Sequence, residues 1–338
     1  MRRVSMQGYD FEQERIKTEI KELGAKRVLL QMPQGLKPQA TKIAQTIQAS
    51  GALPIISVDP CYGACDLAVC DVEVLKVDLI VHFGHSKMVS QGGVPVLYVD
   101  VHSNVPVDGA VLQALALLGG YSKIGLATSV QHIQALDKAK ALLEAAGKTV
   151  FFGDTKQVAY AGQVTGCNYS NVSVVKGEVE AFVFVGGGLF HALGIALSTD
   201  KPTIIADPYD NRAFLVNQEA QKILRQRFAS IQQAKNAQTI GVLVGLKPGQ
   251  RHFDAAIQVK ELAEKNGKAA FVLSSREITP EVLLEFPTID LYVNTACPRI
   301  SLNALGKFSK PVLTVNEFRV VCGEVSWENL VSGGLFEN

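Results

Sequence analysis

The sequence predicts an α/β protein of three pseudo-repeated lobes, each a parallel sheet of roughly four strands flanked by helices, with the site at the central junction. Two observations carry this: one pattern recurs three times, and within each copy apolar runs alternate with helical stretches. The copies start at Arg27 (RVLLQMPQGLKPQATKIAQTIQASGALPIISVD), Lys123 (KIGLATSVQHIQALDKAKALLEAAGKTVFFGD) and Thr239 (TIGVLVGLKPGQRHFDAAIQVKELAEKNGKAAFVLSS).

Each copy opens with a short apolar run of the kind a buried parallel strand shows. A polar loop follows, then an amphipathic stretch. In the second copy Ile133, Leu136, Ala139, Leu143 and Ala146 recur at helical spacing. Gly51, Gly147 and Gly267 stand where these helices end, a position that favours the left-handed conformation. A second strand follows each glycine. A third begins near Val77, Val179 and Thr288, and a fourth near Val94, Lys201 and Lys310. Right-handed crossovers place the helices on both faces of each sheet. The expected lobes are residues 1–115, 116–235 and 236–338, with a polar helix around 218–234 that could bridge the second and third.

The 338-residue length is too great for one ordinary core. With 47% hydrophobic and 19% charged residues, the composition excludes a disordered chain. The net charge of +1, from 33 basic and 32 acidic residues, gives no support for direct nucleic-acid binding. The polar start, MRRVSMQGYDFEQERIK, lacks an apolar leader core. The most apolar stretch, 181–197, contains glycines and His191 and is shorter than the roughly 20 residues a membrane span needs. A cytoplasmic enzyme without membrane attachment is expected, with its cysteines kept as thiols.

Loops at the carboxyl ends of parallel strands form ligand sites. Cys65, Cys167 and Cys297 each fall in such a loop, one per lobe. The first two follow second strands and the third follows a third strand, so the symmetry is not strict. Spacing alone leaves three readings open: an iron–sulfur cubane with one open iron, a zinc ion with water in its fourth position, or three buried bland thiols. Cys61, Cys65 and Cys70 form C-x3-C-x4-C, a near miss to a radical-enzyme cluster loop. Cys61 is the rival to Cys65, whereas Cys70 and Cys322 read as core residues. His82 and His85, three residues apart at a strand end, could bind metal or could hydrogen-bond the loop. Gly186-Gly187-Gly188 after a strand could admit an anionic group at a helix start. Neither a dinucleotide fingerprint nor a Walker A motif is present. The turn at 246–251 reads as solvated, or as a contact for a protein substrate.

The motifs Tyr62-Gly63-Ala64-Cys65-Asp66, Val81-His82-Phe83-Gly84-His85-Ser86, Gly162-Gln163-Val164-Thr165-Gly166-Cys167-Asn168-Tyr169, Asp207-Pro208-Tyr209 and Ala296-Cys297-Pro298-Arg299 occur in this order. Together they resemble those of the archaeal diphthamide-biosynthesis family, the 2-(3-amino-3-carboxypropyl)histidine synthases, across nearly the whole chain. The resemblance implies a homodimer in which Cys65, Cys167 and Cys297 hold a 4Fe-4S cluster whose open iron binds S-adenosylmethionine. It implies that the reduced cluster breaks the bond between sulfur and the γ-carbon. The resulting aminocarboxypropyl radical would add to C2 of a histidine in translation elongation factor two, leaving methylthioadenosine. An electron donor is then a further partner. Gly84, His85, Gly187, Gly188, His191 and Asp207 are the candidates for holding the cofactor, from their places in the loops. Cys61 and Cys70 depart from the pattern by adding thiols beside the first ligand. The rival functions are a zinc-dependent hydrolase on the same thiols and a non-catalytic electron-transfer subunit.

Overall fold

A computed structural model describes residues 8–88, 93–303 and 307–336, so Met1–Gln7 of the polar start lie outside the described residues. The strands are β1 (Arg27–Gln31), β2 (Leu53–Ile56), β3 (Leu79–Phe83) and β4 (Val96–Val99) in the first lobe. The second lobe holds β5 (Lys123–Thr128), β6 (Thr149–Phe151), β7 (Ala181–Val185), β8 (Thr203–Asp207) and β9 (Arg212–Leu215). The third holds β10 (Thr239–Gly245), β11 (Ala269–Ser275), β12 (Leu291–Asn294) and β13 (Val312–Thr314). Sheet orders are β2-β1-β3-β4, β6-β5-β7-β8-β9 and β11-β10-β12-β13, so the repeat read from the sequence is a repeat of topology.

Strands β3, β7 and β12 are buried along their whole length, which is why they read as unbroken apolar runs rather than alternating ones. Helices Ala40–Ala49, Leu136–Ala145 and Phe253–Lys265 connect the first two strands of each sheet. Gly51, Gly147 and Gly267 just beyond them take φ of 88°, 79° and 71°, the left-handed region. A second repeat was not read from the sequence. The residue before each third strand is acidic: Asp78, Glu180 and Asp290. Each carboxylate accepts two backbone N–H bonds at the start of its lobe's first strand, from Lys26 and Arg27, Ser122 and Lys123, and Gln238 and Thr239. Those bonds hold all three carboxyls below their ordinary pKa.

Two features differ from the expectation. Strand β9 adds an antiparallel edge to the second sheet, paired Ala206↔Ala213 and Asp207↔Arg212. The expected division near residue 115 falls inside helix Asp108–Leu118, whose Ala110, Val111, Ala114 and Leu118 pack with Ile124, Leu126 and Ala206 of the second lobe. We therefore propose that the second lobe begins with this helix. Helix Asn217–Ala234 puts Ala220 into the second lobe's core and Ile231 and Ala234 into the third's, so it joins the two. Between those contacts Arg227 grips Glu317 with Nε and Nη2 at 2.7 and 2.5 Å, and also donates to the Ser301 and Val312 carbonyls. The end of the chain returns to the second lobe, where Leu335 and Phe336 pack with Tyr169 and Ile195.

Candidate functional site

The carboxyl ends of the three sheets open onto one cavity of about 720 Å³. The loop after β2 supplies Cys65, and the end of β3 supplies Gly84 and His85. The loops after β6 and β7 supply Cys167 and Gly187, the first turn of helix Leu189–Thr199 supplies His191, and the loops after β10 and β12 supply Gln250 and Cys297. The three cysteines predicted to converge therefore do so, one from each lobe.

All three are free thiols, neither fully buried nor fully exposed. They are close enough for charge on one to oppose charge on another. Burial, then the charge of Cys167 among other causes, raises the Cys65 thiol; burial raises Cys167; burial followed by Cys167 and Cys65 pushes Cys297 up to about 11. Three such thiols become thiolates together only when a cation replaces their protons. Other cysteines are placed differently. Cys61 is buried beside His82 and His85, away from the cavity lining. Cys70 is exposed, which corrects the core reading, and Cys322 packs at the edge of the third lobe's core.

Each thiol loop is fixed by a neighbouring lobe. Gly249 N donates to the Cys65 carbonyl at 2.8 Å and Gln250 Nε2 to Cys65 Sγ at 3.4 Å. Lys247, in the same turn, pairs with Asp66 at 3.2 Å and Glu277 at 2.7 Å and lies 4.1 Å from the Tyr62 ring centre. Turn 246–251 is thus only partly solvated: Leu246 and Arg251 are exposed, whereas Lys247 and Gln250 are buried where they clasp the first lobe. Arg299, two residues past Cys297, reaches across to the Gly166 carbonyl, the Tyr169 hydroxyl and the Phe190 carbonyl. Its guanidinium sits 3.9 Å from the Phe190 ring centre and 4.6 Å from that of Phe336. It thereby pins the Cys167 loop to the Cys297 loop.

Of the predicted cofactor residues, Gly84, His85, Gly187 and His191 line the cavity. Gly187 is needed as glycine, since a Cβ there would stand 2.8 Å from the Tyr209 ring. Gly188 and Asp207 are not part of the lining. Asp207 instead accepts from Gly188 N at 3.4 Å and Tyr209 N at 2.9 Å, so it shapes the turn that presents Tyr209. Sequence reasoning missed Gln250, Tyr209 and Arg299 as site residues. Tyr209 and Arg299 stood in motifs quoted for the resemblance and Gln250 in the turn at 246–251, but only as neighbours of a strand's carboxyl end, with no role given to them. His132 also lines the cavity and is buried against Tyr209.

The donor set suits an iron–sulfur cluster. Three thiols from separate chain segments share one opening, an amide donor meets one sulfur, and glycines at 63 and 166 flank the ligand loops. Fold and site together define a three-lobed α/β enzyme with a central three-cysteine centre.

Comparison with known proteins agrees. A family model of diphthamide synthesis proteins matches residues 32–331, and this chain belongs to that family. The 2-(3-amino-3-carboxypropyl)histidine synthase of Pyrococcus horikoshii is 34% identical over 323 residues, 93% of this chain and 92% of that protein. Subunit 1 of the synthase from Schizosaccharomyces pombe is 28% identical over 96% of this chain and 76% of its own. The crystal structure of Dph2 from Pyrococcus horikoshii with a 4Fe-4S cluster matches with a TM-score of 0.87 at 32% identity, covering 95% of this chain and 93% of that one. No described helix is long and apolar enough to cross a membrane.

Proposed function

We propose that this chain is a transferase that moves the 3-amino-3-carboxypropyl group of S-adenosylmethionine to C2 of a histidine in translation elongation factor two, the first step of diphthamide formation, with methylthioadenosine leaving. The observation that carries it is the convergence of Cys65, Cys167 and Cys297, one from each lobe, on one cavity. Those three thiols would hold a 4Fe-4S cluster. When bound, such a cluster supplies an electron and an iron free to take a ligand.

The chain's own residues make the cavity suited to this cofactor. S-adenosylmethionine is a sulfonium cation. Burial holds His85, His132 and His191 down at about 4, 4 and 3, so at pH 7 all three are neutral and none repels it. Gly84 and Gly187 leave room that a side chain would occupy. Leu36, Met88 and Phe190 add apolar surface to the wall. The cavity carboxylate of Glu277 is tied to Lys247, which leaves it poorly placed as the general base a zinc hydrolase would need. An external electron donor and a homodimer complete the reading, both on the family resemblance alone.

The test is an anaerobic reaction of reduced, cluster-loaded full chain with S-adenosylmethionine and the elongation factor. Methylthioadenosine and a factor peptide carrying the added group on histidine are expected. Cofactor cleavage to 5′-deoxyadenosine, or none after full cluster loading, would contradict the proposal.

A further inference from the structure

At the cavity wall lies a second cluster of metal-binding side chains, of which the transferase reading uses only His85, as a neutral residue of the lining. Cys61, His82 and His85 each offer one donor atom, and these atoms all lie within 4.8 Å of one another. Cys61 and His82 are 5% and 0% exposed, so the group sits inside the first lobe. It joins the loop carrying Cys65 to the end of β3.

The hydrogen bonds around it have the form of an outer shell. Gln31 donates from Nε2 to the Asp66 carbonyl at 2.6 Å and accepts at Oε1 from Ala68 N at 3.2 Å, which fixes its amide orientation. Oε1 is then the acceptor facing His82 Nδ1 at 3.0 Å. His82 must donate from Nδ1, so its Nε2 carries a lone pair. That lone pair meets His85 Nδ1 at 3.0 Å. A metal-bound histidine has this arrangement, with the far nitrogen held by an acceptor and the near one free to ligate.

We infer that Cys61, His82 and His85 form a mononuclear site for a borderline divalent metal ion, zinc being the ion such a mixed sulfur and imidazole set favours. A tetrahedral zinc with ordinary bond lengths sets its ligand atoms roughly 3.3–3.6 Å apart. The donor atoms lie within 4.8 Å of one another, so the side chains would close in around the ion on binding. On binding, the ion takes the place of the hydrogen shared by His82 Nε2 and His85 Nδ1, and His85 becomes the Nε2–H tautomer. The Cys61 thiol loses its proton to solvent, so one proton is released per ion. The fourth position is left for water or a ligand entering past His85, which lines the cavity. The ion would clamp the segment that presents Cys65, four residues beyond Cys61. This inference stands apart from the proposed reaction, because metal binding here needs neither S-adenosylmethionine nor the elongation factor.

The experiment uses the full chain with its three-cysteine centre already loaded with iron and sulfide, so that zinc cannot enter there. The protein is equilibrated with Zn2+, freed of excess ion, and its zinc and iron are counted. One zinc per chain is expected, with zinc lost and iron kept in Cys61→Ser and in His85→Ala. Gln31→Leu should weaken zinc binding roughly 10–100-fold, as loss of an outer-shell partner does. In cluster-free protein carrying Cys65→Ala, Cys167→Ala and Cys297→Ala, Co2+ should give a thiolate-to-cobalt charge-transfer band that is lost when Cys61→Ser is added. His85→Ala provides the answer if Cys61→Ser fails to fold. Wild type that retains no zinc, or zinc that survives both substitutions, would overturn the site.

Discussion

Gln250 Nε2 donates to the sulfur of Cys65 at 3.4 Å, so a residue of the third lobe touches a thiol of the first. Hydrogen bonds to a ligand sulfur stabilise the more negative, reduced state of a cluster. Gln250→Leu should keep its iron and show a midpoint potential lower by on the order of tens of millivolts, where 59 mV is a tenfold change for one electron. A potentiometric titration followed by electron paramagnetic resonance measures this. An unchanged or raised potential would show that the bond does not tune the centre.

Arg227 and Glu317 form a second long-range pair, with side chains 3% and 1% exposed. Removing one partner leaves a buried charge without its counter-charge. Glu317→Ala should therefore lose about 3–5 kcal/mol of stability in urea unfolding. Arg227→Met combined with Glu317→Leu should lose much less than the sum of the single changes, since both charges go together. Equal and additive losses would mean that the pair is not coupled.

His132 should make the protein sensitive to acid. Burial holds it down at about 4, against 6.5 for an ordinary histidine, with Asp207 opposing only in part. Below 6.5 the unfolded chain takes up the proton and the folded one does not, so stability falls as pH drops from 6.5 towards 4. The slope from this one group approaches about 1.4 kcal/mol per pH unit. His132→Phe should flatten the stability profile across that window. A profile as steep as that of wild type would place the acid sensitivity elsewhere.

Gly194 lies in helix Leu189–Thr199, where a Cβ would collide with the Tyr169 phenol. That phenol accepts a bond from Arg299, which pins the Cys167 and Cys297 loops together. Gly194→Ala should cost about 1–3 kcal/mol by overpacking and lower the iron retained after reconstitution. Full iron retention in a folded Gly194→Ala protein would show that this brace is not needed.

What the sequence made legible was the periodic part. Apolar runs, helical spacing and the glycines at 51, 147 and 267 are local signals, and they led to the three sheets. Convergence of Cys65, Cys167 and Cys297 followed from their positions after parallel strands. Strand β9 was hidden because it is four residues long and partly exposed at a sheet edge, with little apolar patterning. The expected division near residue 115 cuts helix Asp108–Leu118, because proximity in sequence does not say which sheet an apolar face covers. Gln250 and Arg299 act on residues 185 and 133 positions away, and pairings of that length leave no local pattern. Cys61 was weighed as a rival ligand, whereas its neighbours in space are His82 and His85.

The most direct measurement is iron and sulfide counting, with an absorption spectrum, on anaerobically reconstituted wild type and on Cys65→Ala, Cys167→Ala, Cys297→Ala and Cys61→Ala. A brown wild-type protein with about four irons is predicted, the colour lost in each of the first three variants and kept in Cys61→Ala. A colourless wild type after reconstitution, or colour that survives all three substitutions, would contradict the three-thiolate centre.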